Sequence, residues 1–318
     1  MSFRASAART AAVSLSVVMA VTLAGCSPAA TGQAAGQPAD TTGAGSSTPI
    51  AIVASTNVWG DIVAQVGGDR VSVTSLIDDP AKDPHEYEAD AQNQLALSKA
   101  AIVVENGGGY DDFVDTMIAS ANNSKAVVLN AAEISGYDLE PSTGEFNEHL
   151  WYDFPTVSKV VDQVASSLGS LDAADASTFT ANATAFKAKL DALISTENTL
   201  KSQYAGRGAA ITEPVPLYML DAIGLVDKTP AEFSGAIESG TDVAPDVLAQ
   251  TLALFSGDRV SVLAYNSQTS GPQTEAVLAA ATAGNVPAVA VTETLPDAMS
   301  YIDWMTANLA ALSSALSQ

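Results

Sequence analysis

The sequence predicts an α/β protein of two Rossmann-like lobes, each with a mostly parallel sheet, joined by a long linking helix. Three observations lead there. Short runs rich in β-branched residues alternate with segments of helical spacing from Ile50 onward. The alternation stops between Thr156 and Tyr204, where apolar residues recur at three and four, and it then resumes to the end of the chain. Strands joined by helical crossovers form parallel sheets covered on both faces, and an interrupted alternation implies two of them.

Taken in order, Ile50–Ala54 is a short apolar strand, and Val58, Ile62, Val63 and Val66 mark a helix after it. Val71–Ile77 alternates with period two and ends at Asp78-Asp79-Pro80. Gln92–Ala100 reads as a helix, Ala101–Val104 as a buried strand stopping at Asn106-Gly107-Gly108-Gly109, Asp111–Ala121 as a helix and Ala126–Leu129 as a strand. Val157, Val160, Val161 and Val164, then Phe186, Leu190, Leu193 and Ile194, make 156–204 one long helical region or two helices in tandem, with an αα-hairpin as the alternative. The second half repeats the first pattern. Strands are expected at Gly208–Thr212, Val260–Ala264 and Ala288–Thr292, and helices at Leu217–Ile223, Ala244–Phe255, Thr274–Ala283 and Tyr301–Leu316.

The amino terminus is different in kind. Arg4 and Arg9 precede an apolar run, Ala11–Leu23, that is too short for a spanning helix and closes on Leu23-Ala24-Gly25-Cys26. This is similar to a bacterial lipoprotein signal, with Cys26 as the lipidated first residue of the mature chain. Cys26 is the single cysteine, so no intrachain disulfide is available. Ser27–Thr48 is built from small and polar residues and cannot bury enough apolar surface to order itself. The expected organisation is a signal peptide at 1–25, a flexible spacer at 26–48, a first lobe at 49–155, a linking region at 156–204 and a second lobe at 205–318.

The chain carries a net charge of −23. Loss of Arg4 and Arg9 with the signal leaves 11 basic against 36 acidic residues, a mature charge of −25. Such a surface repels nucleic acid and anionic lipid and attracts cations, although a solvating acidic surface explains the total equally well.

Only two histidines are present, and both sit in loops beside acids: His85 in Lys82-Asp83-Pro84-His85-Glu86, and His149 in Asn147-Glu148-His149-Leu150-Trp151. Imidazole is the commonest metal-binding side chain. Ligands in open α/β sheets bind outside the carboxyl ends of the strands. His85 follows the strand Val71–Ile77, Glu213 follows Ile211-Thr212, Glu293 follows Val291-Thr292, and His149 lies in the loop beyond Leu129. Four such residues from two lobes would meet in the cleft between them. Exposed loop histidines and ordinary surface carboxylates are the plain alternatives. Asp83 either orients the His85 ring or forms the turn at Pro84. Trp59 and Trp151 are expected in core or lobe packing.

The segments Ala54-Ser55-Thr56-Asn57-Val58-Trp59-Gly60-Asp61-Ile62, Asp83-Pro84-His85-Glu86-Tyr87-Glu88 and Glu148-His149-Leu150-Trp151-Tyr152-Asp153 resemble the zinc/manganese solute-binding lipoproteins of metal ABC importers. The likeness extends over essentially the whole folded body. It implies a metal site in the inter-lobe cleft formed by His, His, then His or Glu, then Asp or Glu. By position these are His85, His149, Glu213 and Glu293. It also implies an inter-lobe helix that limits hinge opening, a manganese or zinc cargo, an ABC transporter permease as partner, and a monomer held on the extracytoplasmic side of the cell membrane through Cys26. Zinc-type members usually have a third histidine and often a His-rich loop; here Glu213 takes the third place, and Gly136–Glu148 holds Asp138, Glu140, Glu145 and Glu148 but no histidine. A second departure, Phe154-Pro155 after Asp153, touches only the start of the next helix.

Two imidazoles with two carboxylates lean toward manganese, because harder oxygen donors and bidentate carboxylates raise the coordination number, while zinc outcompetes manganese at most such sites in a test tube. No enzyme is expected. The rival readings are a surface metal-dependent hydrolase, which needs an open coordination position and a general base, and an adhesin or scaffold on the same fold. Neither His-Glu-x-x-His nor a Ser-His-Asp arrangement is present to favour the first.

Overall fold

The computed structural model describes residues 48–79, 87 and 90–318. The signal peptide, Cys26 and nearly all of the spacer lie outside the described residues, as do Asp83 and His85. The first sheet takes β1 (Ile50–Thr56), β2 (Val71–Ile77), β3 (Ile102–Glu105) and β4 (Val127–Asn130) in the order β2-β1-β3-β4, all parallel. Its crossovers carry α1 (Asn57–Gly67), α2 (Ala91–Leu97) and α3 (Phe113–Ala121), and a short α4 (Ala131–Ser135) follows. Helices α5 (Phe154–Leu171) and α6 (Ala176–Tyr204) come next. The second sheet takes β5 (Gly208–Ile211), β6 (Val226–Asp227), β7 (Val262–Asn266) and β8 (Ala288–Val291) in the matching order β6-β5-β7-β8, again parallel. With it go α7 (Leu217–Ala222), α8 (Ala231–Glu238), α9 (Pro245–Ala253), α10 (Pro272–Ala283) and α11 (Tyr301–Leu316). None of the described helices is long and apolar enough to cross a membrane.

Period-two alternation on the central strands sorts the core into three layers. Ile52, Ala54, Ile102 and Val104 of the first sheet and Ala209, Ile211, Val262 and Ala264 of the second all enter one central cluster. Residues between them point the other way: Val53 and Val103 pack under α2 and α3 with Leu97, Val114 and Met117. Ala210 and Leu263 pack with Phe233 of α8 and Val277 of α10. The inner faces of both sheets therefore share one core, into which Trp59, Trp151, Tyr152, Phe179 and Tyr301 are fully buried.

Polar ties reinforce that junction. Asn57 and Leu295 exchange two hydrogen bonds of 2.9 Å, side-chain amide to backbone. Asp61 accepts from the Tyr301 backbone N–H at 2.9 Å, and the Tyr301 hydroxyl donates to the Trp151 carbonyl at 2.6 Å.

The 156–204 region is two helices packed against each other. The side chains of Asp162 and Lys187 meet at 2.5 Å, and a Cβ on Gly169 would lie 3.2 Å from that of Ala176, so α5 and α6 run antiparallel. Asp153 caps α5 through the Thr156 N–H, with Pro155 in the first turn where its missing donor costs nothing. Phe154 is thus inside the helix and buried. Helix α6 also packs against α1, α7 and α11.

Its buried stripe runs Phe179, Ala183, Phe186, Leu190, Leu193, Glu197, Leu200. Glu197 occupies an apolar position at 5% exposure, and burial, aided by the Asp153 charge, pushes its carboxyl up to about 8. A native pKa above the unfolded value means that its contribution is fully present below about pH 4.5 and is lost as pH rises through about 8. Glu197→Gln is therefore expected to equal the parent in stability near pH 4 and to exceed it by roughly 4 kcal/mol at pH 8. Denaturant unfolding at the two pH values checks this; equal parent and variant midpoints at pH 8 would contradict it.

Candidate metal centre

In both sheets the strand order reverses beside the first strand, between β1 and β3 and between β5 and β7. Crevices at such reversals, beyond the strands' carboxyl ends, are where open α/β sheets bind ligands. His149 reaches this region from the loop after α4, just before a 3-10 turn at Leu150–Tyr152. It is completely buried. Its ring makes edge contacts with Trp151 and Tyr110, at centroid separations of 5.2 and 6.0 Å.

The Asn147 amide sets the state of that ring. Its Nδ2 donates to the Pro214 carbonyl at 3.2 Å, so its Oδ1 is the acceptor that faces His149 Nδ1 at 2.7 Å. Nδ1 must then carry a hydrogen, and in the neutral imidazole Nε2 presents its lone pair. The Tyr218 hydroxyl holds the Asn147 carbonyl at 2.8 Å, so both halves of the chain fix the tautomer.

Carboxylates gather on the Nε2 side. Glu238, the last residue of α8, places Oε1 3.4 Å from His149 Nε2. Ligand-type atoms of Glu148, His149 and Glu238 lie within 4.8 Å of one another. The Glu148 backbone is anchored from below, its carbonyl accepting from Asn106 Nδ2 at 2.8 Å.

Glu213 and Glu293 leave β5 and β8 at their carboxyl ends and are 3% and 2% exposed. Glu293 is held by Asn266 Nδ2 at 2.7 Å and by the Tyr110 hydroxyl at 3.3 Å, while its backbone N–H donates to Gln268 Oε1. Glu213 is less well served: its Oε2 is buried and makes no hydrogen bond. Burial, then the charges of Glu293 and Glu238, push the Glu213 carboxyl up to about 8. Several acids around one imidazole, with a buried Glu213 oxygen that makes no hydrogen bond, are a donor set suited to a cation. From solvent this region is approached by a groove of about 710 Å³, lined among others by Glu145, Glu148, Glu232 and Glu238.

Of the residues singled out in the sequence, His149, Glu213 and Glu293 are all buried at the carboxyl ends or in the adjoining loop. Tyr110 links two of them, touching the His149 ring and bonding Glu293. His85 and Asp83 lie outside the described residues. Glu238 is not legible in the sequence, because the only signals of helix α8 are Pro230 ahead of it and Phe233 and Ile237 four apart. Glu148 reads in the sequence as an acid beside His149 and as the end of the acidic loop Gly136–Glu148, not as a ligand. Asn147, Asn266 and Tyr110, which orient the others, carry no sequence pattern at all.

A family profile described as ZnuA, zinc-uptake complex component A, periplasmic, matches residues 52–315. The chain belongs to the ZnuA family. Curated relatives of this ZnuA-family protein include the manganese-binding lipoprotein MntA of Halalkalibacterium halodurans, 30% identical over 142 residues, and that of Bacillus subtilis, 27% identical over 157. These alignments cover 45% and 48% of the chain and 46% and 51% of the relatives, so the chain spans about half the length of the curated relatives it matches. A crystal structure of ZnuA superimposes with a TM-score of 0.69 at 22% identity, covering 84% of this chain and 98% of the other. The periplasmic zinc-binding protein TroA from Treponema pallidum gives 0.70 at 22%, covering 83% and 98%. At these identities the superpositions establish the ZnuA-type fold, two parallel α/β sheets with a long helix between them.

Proposed function

We propose that this ZnuA-family protein is an extracytoplasmic receptor, anchored by lipid on Cys26, that captures a divalent transition metal and delivers it to the permease of an ABC importer. One observation carries the reading. A completely buried imidazole, its ring held by Asn147, turns Nε2 toward Glu238, and Glu213 beyond the end of β5 keeps a buried oxygen that makes no hydrogen bond. His149, Glu213 and Glu293 are the ligands within the described residues; His85 supplies a second imidazole, with Asp83 accepting its other ring N–H. Manganese suits the oxygen-rich set, and zinc binds it in vitro by its place in the affinity series. The names of the curated relatives, manganese-binding lipoproteins, support this reading. The protein acts as a monomer, turns over no substrate and has no nucleic-acid partner, in keeping with a mature charge of −25.

Calorimetry with chelator competition tests it. The full chain is expected to bind one equivalent of Mn2+ or Zn2+, and Glu213→Ala to bind about 100-fold more weakly or worse, roughly 2.7 kcal/mol, with its circular dichroism unchanged. Parent affinity in Glu213→Ala removes that residue from the site. Absence of binding in the parent, or hydrolysis of an ester, peptide or phosphate substrate that disappears in His149→Ala, overturns the receptor reading.

A further inference from the structure

Glu238 stands apart from the residues that strand ends bring to the cleft. It comes from the carboxyl end of α8, and a carboxylate there meets the negative end of the helix dipole. Its side chain is 15% exposed, and it faces His149 while its charge, like that of Glu293, acts on Glu213. Local preference and electrostatics both oppose an acid at this place. Its apolar neighbours on the same helix, Phe233 and Ile237, are in the core and fix how α8 sits.

The facing pair is informative. With Nδ1 committed as donor to Asn147, the Nε2 lone pair and Glu238 Oε1 are two acceptors 3.4 Å apart. At that separation one positive charge, a proton or a metal ion, can be held by both. Both atoms would be within reach of a single ion held between them. Independently, the 97% buried side chain of Glu213 has an oxygen with no hydrogen-bond partner, at a carboxylate that senses the Glu238 charge.

We propose that Glu238 is a further ligand of the captured cation, a carboxylate that helix α8 places opposite His149. This rests on the metal-capture reading and deepens it. Glu238 adds a third carboxylate from the second half of the chain to Glu213 and Glu293, so the donor set is richer in oxygen than strand-end residues alone make it. Oxygen donors in greater number favour Mn2+ over Zn2+, and the contribution of Glu238 is therefore larger for Mn2+.

The test uses the full chain and the metals alone. Mn2+ and Zn2+ affinities are measured by chelator competition for the parent, Glu238→Gln, Glu238→Ala and Asp242→Asn, the last removing one charge from an exposed site four residues along. Glu238→Gln and Glu238→Ala are expected to weaken Mn2+ at least tenfold and Zn2+ less, at low salt and high salt alike, while Asp242→Asn matches the parent. The Mn2+ electron paramagnetic resonance spectrum should change in Glu238→Gln, which retains the side chain's size. Parent-like affinities and an unchanged spectrum in both Glu238 variants overturn the proposal and leave metal capture standing. A loss equalled by Asp242→Asn and erased by salt also overturns it, reducing Glu238 to a diffuse charge. Failure of the parent to bind either ion overturns the capture reading itself.

Discussion

His149→Ala is expected to bind Mn2+ and Zn2+ at least about 1,000-fold more weakly than the parent, roughly 4 kcal/mol. The effect exceeds that of any single carboxylate change because the imidazole is the one nitrogen donor among the described residues at the site, and removing it leaves carboxylates to repel one another. The orienting apparatus would remain: Asn147 still bonds to Pro214 and Tyr218, and Trp151 still packs in the core. Because His149 is wholly buried, the deletion also leaves a cavity, so His149→Gln serves as the companion variant. Both are expected to stay folded by circular dichroism and to lose tight binding in chelator competition. Retention of parent affinity in either folded variant would take His149 out of the site.

Asp111→Ala is expected to destabilise the fold by about 3–4 kcal/mol. The Asp111 carboxylate is 2% exposed and accepts from the backbone N–H groups of Asn106 and Gly107, each at 2.7 Å. Those donors close a sharp reversal after β3, where Gly107 and Gly108 have φ of +71° and +69°. A Cβ at Gly107 would come within 2.3 Å of the Asn130 side chain, and one at Gly108 within 2.4 Å of the Phe146 ring. Only glycine fits there, and glycine does not hold the conformation unaided. Without the carboxylate two buried N–H groups lose their partner. Denaturant unfolding checks the size of the loss; a change under about 1 kcal/mol would mean that water replaces the carboxylate. Asn106 also supports Glu148 and Tyr110 touches His149, so metal affinity should fall with stability.

The sequence made the buried strands and the long amphipathic helices legible because burial imposes a period. Val71–Ile77 alternates and is β2; Tyr301–Leu316 repeats at three and four and is α11, with matching ends. Where burial imposes little, little could be read. Strand β6 is only two residues, Val226–Asp227, too short for any period. Helix α8 spans eight residues and buries Phe233, Ser234 and Ile237, of which only two are large and apolar. The same limit shaped the reading of the site. Glu213 and Glu293 are candidates in the sequence because a strand end is visible in Ile211-Thr212 and Val291-Thr292. Glu238 ends a helix with a faint signature, and Asn147, Asn266 and Tyr110 act through hydrogen bonds and ring contacts spanning 2, 27, 39 and 183 residues. The hairpin of α5 and α6 lay between two readings because Asp172–Asp175, the break, marks a turn without giving its direction.

The core shared by both sheets couples the folding of one to the folding of the other. Trp59 and Trp151 from the first part of the chain and Tyr301 and Trp304 from the last pack in the same cluster, alongside Phe179 and Phe186 of α6. Melting either sheet would strip the other of its inner face, so the two are expected to unfold together. An ion bound at the margin of the seam accordingly stabilises every residue that depends on it, and its binding free energy is felt as far away as the outer helices.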